Sequence, residues 1–336
     1  MSFYTGDKCI FTDLAKKRDV LLPIQYPTLW KVFKKQQAVI WTTEEIDFSG
    51  DDAGWATLGD EARHFILTIL SFFASSDLLI LDNLMEQFMS EVTVAECKAF
   101  YALQSFVETI HSETYATMLH KFVGPGDPSQ YVDGLQRIAS IRAKGAWARR
   151  YMDPARPFAV RLWAFCIFEG LLFSASFASI YWLRTKGNLC PGLTFSNEMI
   201  ARDEALHAEF AIQMYNLLRQ PLAVEVVHEV LKEAVALEEA FVREALPKRL
   251  EGINAETMCQ YVRFCADHLL SKLRGPNNQP YPRLPHHKAR TNPYPWMDAI
   301  SLESKTNFFE KRVAEYVKAN VGDDESTSAF AMDVDF

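Results

Sequence analysis

No two cysteines stand at CxxC spacing, no block of lysine and arginine interrupts the chain, and no glycine-rich phosphate loop is present. Each absence removes a class of protein. The six scattered cysteines (Cys9, Cys97, Cys166, Cys190, Cys259 and Cys265) suggest neither a disulfide framework nor a thiolate zinc site, and are expected to be reduced. With a net charge of −8 and a pI of about 5.6, the chain lacks the clustered cations that grip phosphate backbones, so nucleic acid is not an expected partner. The opening residues, MSFYTGDKCI, contain no apolar signal core, and no lipidation motif occurs; a cytoplasmic protein is expected. Stretches with the alternating pattern of strands are few.

What is there is helix-forming sequence. Apolar residues make up 49% of the 336 and aromatics 13%, enough to fill one large helical core. Helical periodicity runs over roughly 27–40, 58–88, 92–122, 129–151, 156–186, 195–219, 222–250, 254–273 and 303–319. Several of these segments lack a polar face, as in a bundle whose central members are wrapped by others. Residues 275–296, GPNNQPYPRLPHHKARTNPYPW, read as a proline-rich strap, and NVGDDESTSAFAMDVDF at the end is acidic and aperiodic. The expectation is an all-α fold: a single domain over 1–319, with an N-terminal arm to about residue 25, and a disordered tail over 320–336.

The run from Arg161 to Arg184, RLWAFCIFEGLLFSASFASIYWLR, is long enough to cross a bilayer. No second comparable span accompanies it, so a helix buried on all sides of a large core is the expected state, and no membrane partner is expected. That leaves one anomaly. Glu169 lies near the middle of the run, and a buried carboxylate needs a cation or a metal beside it.

Four segments fit Glu-x-x-His, a spacing that puts both side chains on one helix face: Glu61/His64, Glu108/His111, Glu204/His207 and Glu225/His228. Glu225/His228 shares a face with Glu229 and Lys232, and Glu61/His64 lies beside Asp60 and Arg63, so both read as solvated. Glu108/His111 and Glu204/His207 instead interrupt sequence that is apolar on nearly every side. Each follows a helix with an isolated acid: Asp77 precedes Glu108 by 31 residues, and Glu169 precedes Glu204 by 35. Two such units brought together antiparallel point four carboxylates and two imidazoles at one place, the arrangement of ferritin-like di-iron and di-manganese proteins. Carboxylate and imidazole without thiolate suit iron or manganese. Tyr115 lies one turn beyond His111 on the same face, and Phe173, Phe177 and Ile200 fall at helical spacing from Glu169 and Glu204, as inert walls for an oxidisable phenol.

The segments FVETIHSETY, FEGLLFSASFASIYWL, PGLTFSNEMIARDEALH and the terminal FAMDVDF closely resemble the small, radical-generating subunit of class I ribonucleotide reductase, especially its eukaryotic-type members. The likeness runs from about Pro23 to Phe336. It implies a ferritin-like bundle with extra helices and metal ligands Asp77, Glu108, His111, Glu169, Glu204 and His207. It also implies two iron ions, with manganese accepted by the same ligands, and a tyrosyl radical formed with O2 and stored at Tyr115. Within VIWTTEEID, Trp41 matches the start of the radical-transfer route, Asp203 the acid linking it to His111, and Tyr316 the tail tyrosine. The implied partner is the catalytic large subunit, where ribonucleotides become deoxyribonucleotides, gripped by Phe330, Met332 and Phe336 of the tail; a homodimer is the implied assembly. The rival readings, an R2-like ligand-binding oxidase, another ferritin-like oxidase or an iron store, explain neither Tyr115 nor the tail.

Overall fold

A computed structural model describes residues 9–124, 131, 134–285 and 291–297, with only the backbone of residues 77–79. Its principal helices are α1 (Pro27–Gln37), α2 (Asp51–Thr57), α3 (Asp60–Asn83), α4 (Ala95–Val123), α5 (Ala139–Met152), α6 (Phe158–Ile167), α7 (Ser174–Tyr181), α8 (Pro191–Asn216), α9 (Val224–Ala245) and α10 (Ala255–Lys272). Among the described residues there is no strand, only isolated bridges between Leu250 and Ile253 and between Arg274 and Pro280. The all-α ferritin-like expectation holds.

The long helices α3, α4 and α8, with the α6–α7 segment, surround a common interior. Helix α3 packs along α4, α6 lies against α8, and α1 bridges α4 and α8 from outside. On the other side α9 contacts both α5 and α10. Every residue of α6 is buried, which accounts for the apolar Arg161–Arg184 run. Phe158–Lys186 and Asp60–Glu91 are both long and apolar enough to span a membrane, but 89% and 80% of their apolar windows are buried inside the protein. Face-to-face packing of Phe100 on Phe210, with centroids 3.7 Å apart, joins α4 to α8. Burying each such ring contributes about 2–3 kcal/mol.

Two stretches expected as single helices are broken. Helix α3 passes into a π-helical turn at Leu84–Phe88, and α6 into another at Phe168–Leu172 before α7 begins. A wider helical turn is a response to what packs around it, so helical periodicity alone does not reveal it. The expected helix over 129–151 is described as a turn at Gly134–Arg137 and then α5. Helix α2 was not expected from the sequence, being only seven residues, about two turns, long. The expected segment 303–319 and the tail 320–336 lie outside the described residues. The N-terminal arm is tied down where it is described: Phe11 is fully buried, and Arg18 Nη2 lies 2.7 Å from Glu96 Oε1, which also accepts from the Gln25 amide at 2.7 Å.

The ends of the two ligand-bearing helices show how local sequence sets them. Helix α4 has Gly124 immediately after it with φ +67°, a left-handed conformation that glycine adopts without strain. Helix α8 starts with Pro191 at its first turn, where the missing N–H is no loss. Its next amides, Gly192 N and Leu193 N, donate to the two carboxylate oxygens of Asp51 at 2.7 and 2.9 Å, so the cap comes from α2 rather than from the adjacent residue. Asp51→Ala should leave both donors unsatisfied in a buried place and lower stability by about 2 kcal/mol, seen as a lower urea midpoint at unchanged slope. Stability equal to the wild type would show that water replaces the carboxylate without loss.

Candidate metal centre

Glu108 and His111 project from the middle of α4, Glu204 and His207 from the middle of α8, and Glu169 from the π-helical turn after α6. All five residues are at most 2% exposed. Ligand atoms of Glu108, Glu169, Glu204 and His207 lie within 4.8 Å of one another. His207 turns Nδ1 into this group, 3.0 Å from Glu108 Oε1, 3.2 Å from Glu204 Oε2 and 3.7 Å from Glu169 Oε2. His111 likewise turns Nδ1 inward, 3.4 Å from Glu108 Oε2 and 3.2 Å from Glu204 Oε1. The backbone of Asp77 lies in α3, which packs along α4; its side chain is outside the described residues. The pairs set aside as solvated stay so: Glu61, His64 and Glu225 are exposed and His228 is half-buried.

Charges forced together in a dry interior shift one another's proton affinity. Glu169 is pushed well above the usual carboxylate range, by burial first and then by the negative charges of Glu204 and Glu108. Burial also raises Glu204, but hydrogen bonding with Glu169, His111 and His207 outweighs it and leaves this carboxyl below the ordinary range. Burial alone would lower both imidazoles. Asp203, Glu108 and Glu204 around His111, and Glu108, Glu169 and Glu204 around His207, overcome that and hold both well above the ordinary histidine range. The cluster therefore retains protons that divalent metals would displace.

The donor set fits two such ions. It offers carboxylate oxygens and imidazole nitrogens without thiolate, as hard or borderline divalent metals prefer. Three of its inward-facing atoms, Glu108 Oε2, Glu169 Oε2 and His111 Nδ1, meet charged neighbours only at ion-pair distance, without a hydrogen bond of good geometry among the described residues. Atoms left unsatisfied in a core need an explanation, and a cation between them is one.

From His111 a polar line runs outward. His111 Nε2 lies 3.3 Å from Asp203 Oδ2, and the same oxygen accepts from Trp41 Nε1 at 2.7 Å. Asp203 is kept ionised: burial would raise it, but His111 and Arg202 outweigh that and lower it. Tyr115, one helical turn after His111 in α4, is 1% exposed, with Phe73 stacked on it at 4.6 Å and 5° between planes. Phe73 in turn packs on Phe173 at 5.6 Å and on Phe177 at 5.0 Å, while Ile200 is fully buried. Tyr316, Phe330, Met332 and Phe336 lie outside the described residues.

Sequence reasoning missed three participants. Gln104, fully buried one turn before Glu108, reaches Glu108 Oε1 at 3.4 Å and Glu169 Oε1 at 3.2 Å through Nε2. Its position four residues before a ligand was the available signal. Gln36 donates to Asp203 Oδ1 at 3.1 Å, and Phe73 covers the ring of Tyr115. Both come from other helices, so no local spacing points to them.

Metal uptake at this site should release protons. Below the raised values of His111 and His207 each imidazole holds a proton that competes with the metal, and Glu169 behaves likewise, so affinity should rise as pH rises through those values. Adding manganese(II) to the metal-free protein in weak buffer at neutral pH should acidify the solution, read with an indicator dye. Binding that is independent of pH and releases no proton would contradict this picture of the cluster.

The small-chain family model of ribonucleotide reductase matches residues 18–282. The ribonucleoside-diphosphate reductase small chain of Nicotiana tabacum is 45% identical over 324 residues, covering 95% of each chain. That of Trypanosoma brucei brucei is 44% identical over 322 residues, covering 95% of this chain and 93% of its own. Among solved structures, a ribonucleotide reductase homodimer from Saccharomyces cerevisiae superposes with a TM-score of 0.74 at 26% identity, over 88% of this chain and 93% of that one. With the ligand-bearing helices inside the matched span and the likeness running along nearly the whole chain, this protein belongs to the ribonucleotide reductase small-chain family.

Proposed function

We propose that this small subunit forms and stores a tyrosyl radical at Tyr115 and lends it to a catalytic large subunit for ribonucleotide reduction. The observation that carries the reading is the buried carboxylate and imidazole group of α4, α8 and the π turn, with Tyr115 one turn from His111 and a hydrogen-bonded line leaving the other side. In this reading Glu108, His111, Glu169, Glu204 and His207, together with Asp77, would hold two iron ions, which with O2 as the oxidant would supply the one-electron oxidation of the phenol.

The protein's own residues do the rest. Tyr115 gives up an electron and a proton, and its ring is sealed from water by Phe73, with Phe173 and Phe177 behind. Ile200 closes the α8 side of the same interior. Asp203 holds the Nε2 edge of His111 and the indole N–H of Trp41 at once, so a charge arriving at either ring is met by a fixed carboxylate. We place Trp41, Asp203 and Tyr316 on the route to the partner, with Phe330, Met332 and Phe336 as apolar anchors of an acidic tail that folds onto the large subunit. The working assembly is a homodimer in the cytoplasm, and residues 1–319 act as one ferritin-like unit.

Two experiments test this. Reconstitution with ferrous iron and O2 should give a tyrosyl EPR signal, and Tyr115→Phe should abolish it, and with it nucleotide reduction, while iron content and fold stay at wild-type levels. A variant that reduces nucleotides with Phe at 115 would end the radical assignment. For the tail, a peptide of the last nine residues should inhibit the reductase competitively against the small subunit. Deleting those residues should weaken subunit association yet leave the Tyr115 signal intact; full activity of the shortened chain at low subunit concentration would show the anchors to be dispensable.

A further inference from the structure

Helix α6 does not run straight into α7. Between them Phe168–Leu172 forms the π-helical turn whose second residue is Glu169, and Phe173 follows at φ −98°, ψ −14° before the α geometry resumes. Such turns are rare, recur at functional sites, and leave backbone groups out of register with the ordinary ladder. Nothing in FEGLLF requires one, since it has no proline and only Gly170 as a weak helix former. The turn must be held from outside.

Two charged side chains from other helices meet at its exit. Lys144 of α5 is fully buried, and its Nζ donates at 3.1 Å to the carbonyl of Leu172, the last residue of the π turn. Its ammonium lies 3.6 Å from the ring centroid of Phe72 and 3.9 Å from that of Phe241, and it is ion-paired with Glu238 of α9, also fully buried. The Glu238 carboxylate, on α9 where that helix packs against the π turn, is the counter-charge that keeps the ammonium there. One charge thus holds the last carbonyl of the π turn, and its partner holds that charge in place.

A buried ion pair is a poor way to gain stability, because desolvating two ions offsets most of their attraction and apolar residues of similar size often do better. Burial pulls Lys144 down to about 8, against the attraction of Glu238, and lifts Glu238 to about 7, against that of Lys144. A pair so close to losing its charge is retained for what the Lys144 hydrogen bond to the π turn fixes. Neither residue is a member of the carboxylate and imidazole group.

We propose that Lys144 and Glu238 are positioning residues for the metal centre: they clamp the exit of the π turn and so fix where Glu169 presents its carboxylate. The inference rests on the metal-site reading above. It is tested by titrating the metal-free full-length protein with cobalt(II), following dialysis equilibrium and the visible absorption of the bound ion. Glu169→Ala identifies the ion that depends on this ligand. The double variant Lys144→Met/Glu238→Leu removes both charges and fills the space. It should keep the helical circular dichroism of the wild type but bind the Glu169-dependent ion about tenfold more weakly, with altered absorption, as losses outside the ligand shell commonly do. If that variant does not fold, Glu238→Gln decides instead, since it keeps the volume and should show a smaller loss in the same direction. A folded variant of either kind with wild-type cobalt affinity and spectrum overturns the clamp, even if its melting temperature has moved. Wild-type protein that takes up no cobalt overturns the metal reading itself, which is a different and separately visible failure.

Discussion

Carboxylates held together out of reach of water set the terms for the rest of this molecule. Two such groups about 4 Å apart repel by roughly 4 kcal/mol at an effective dielectric of about 20, and here Glu108, Glu169 and Glu204 converge with His207 within 4.8 Å. No short segment could hold them there. Each is carried on an element packed into the interior, where the contacts among α3, α4, α6 and α8 hold them together and the protons kept by Glu169, His111 and His207 offset their repulsion. That is why α6 has no polar face at all. It is also why the caps of these helices matter beyond their own hydrogen bonds: Asp51 at the start of α8 secures the helix that brings both Glu204 and His207.

The interior is polar on one side of His111 and apolar on the other. Toward Trp41 stand Asp203, Gln36 and Arg202, an ionised acid with partners on both oxygens. Toward Tyr115 stand Phe73, Phe173 and Phe177. Charge can be stabilised along the first direction and is penalised along the second. An oxidised group kept on the apolar side is sheltered, while exchange with the outside has a fixed path on the other.

The converging carboxylates and imidazoles were legible because they break a pattern. Glu108 and His111 interrupt an apolar helix, and Glu204 and His207 do the same, whereas Glu225 and His228 sit among other charges. Glu169 stood out as a single acid in 22 residues of apolar or small sequence. What surrounds the ligands was far less visible. Lys144 sits in IRAKGAWARR, where Arg142, Arg149 and Arg150 are exposed, and it reads there as one more surface cation. Only the packing of α5 against α9 turns it inward. The π turns were hidden for the same reason: residues 156–186 have continuous helical periodicity, and the break follows from partners distant in the chain. Helix ends were read to within a few residues where Pro191 or Gly124 marks them.

The stack of Tyr115 on Phe73 bears on spectroscopy. Two rings 4.6 Å apart and 5° from parallel, inside a buried cluster, favour one orientation of the phenol about its Cβ–Cγ bond. In a radical stored on that ring, the coupling of the unpaired spin to each of the two Cβ hydrogens depends on the angle between the C–H bond and the ring normal. A ring free to librate would average or smear that angle. Here a single value is imposed by a neighbour, so the resonance should show one sharp set of methylene hyperfine splittings, and trimming Phe73 to a smaller side chain should broaden it before it alters anything at the ligands.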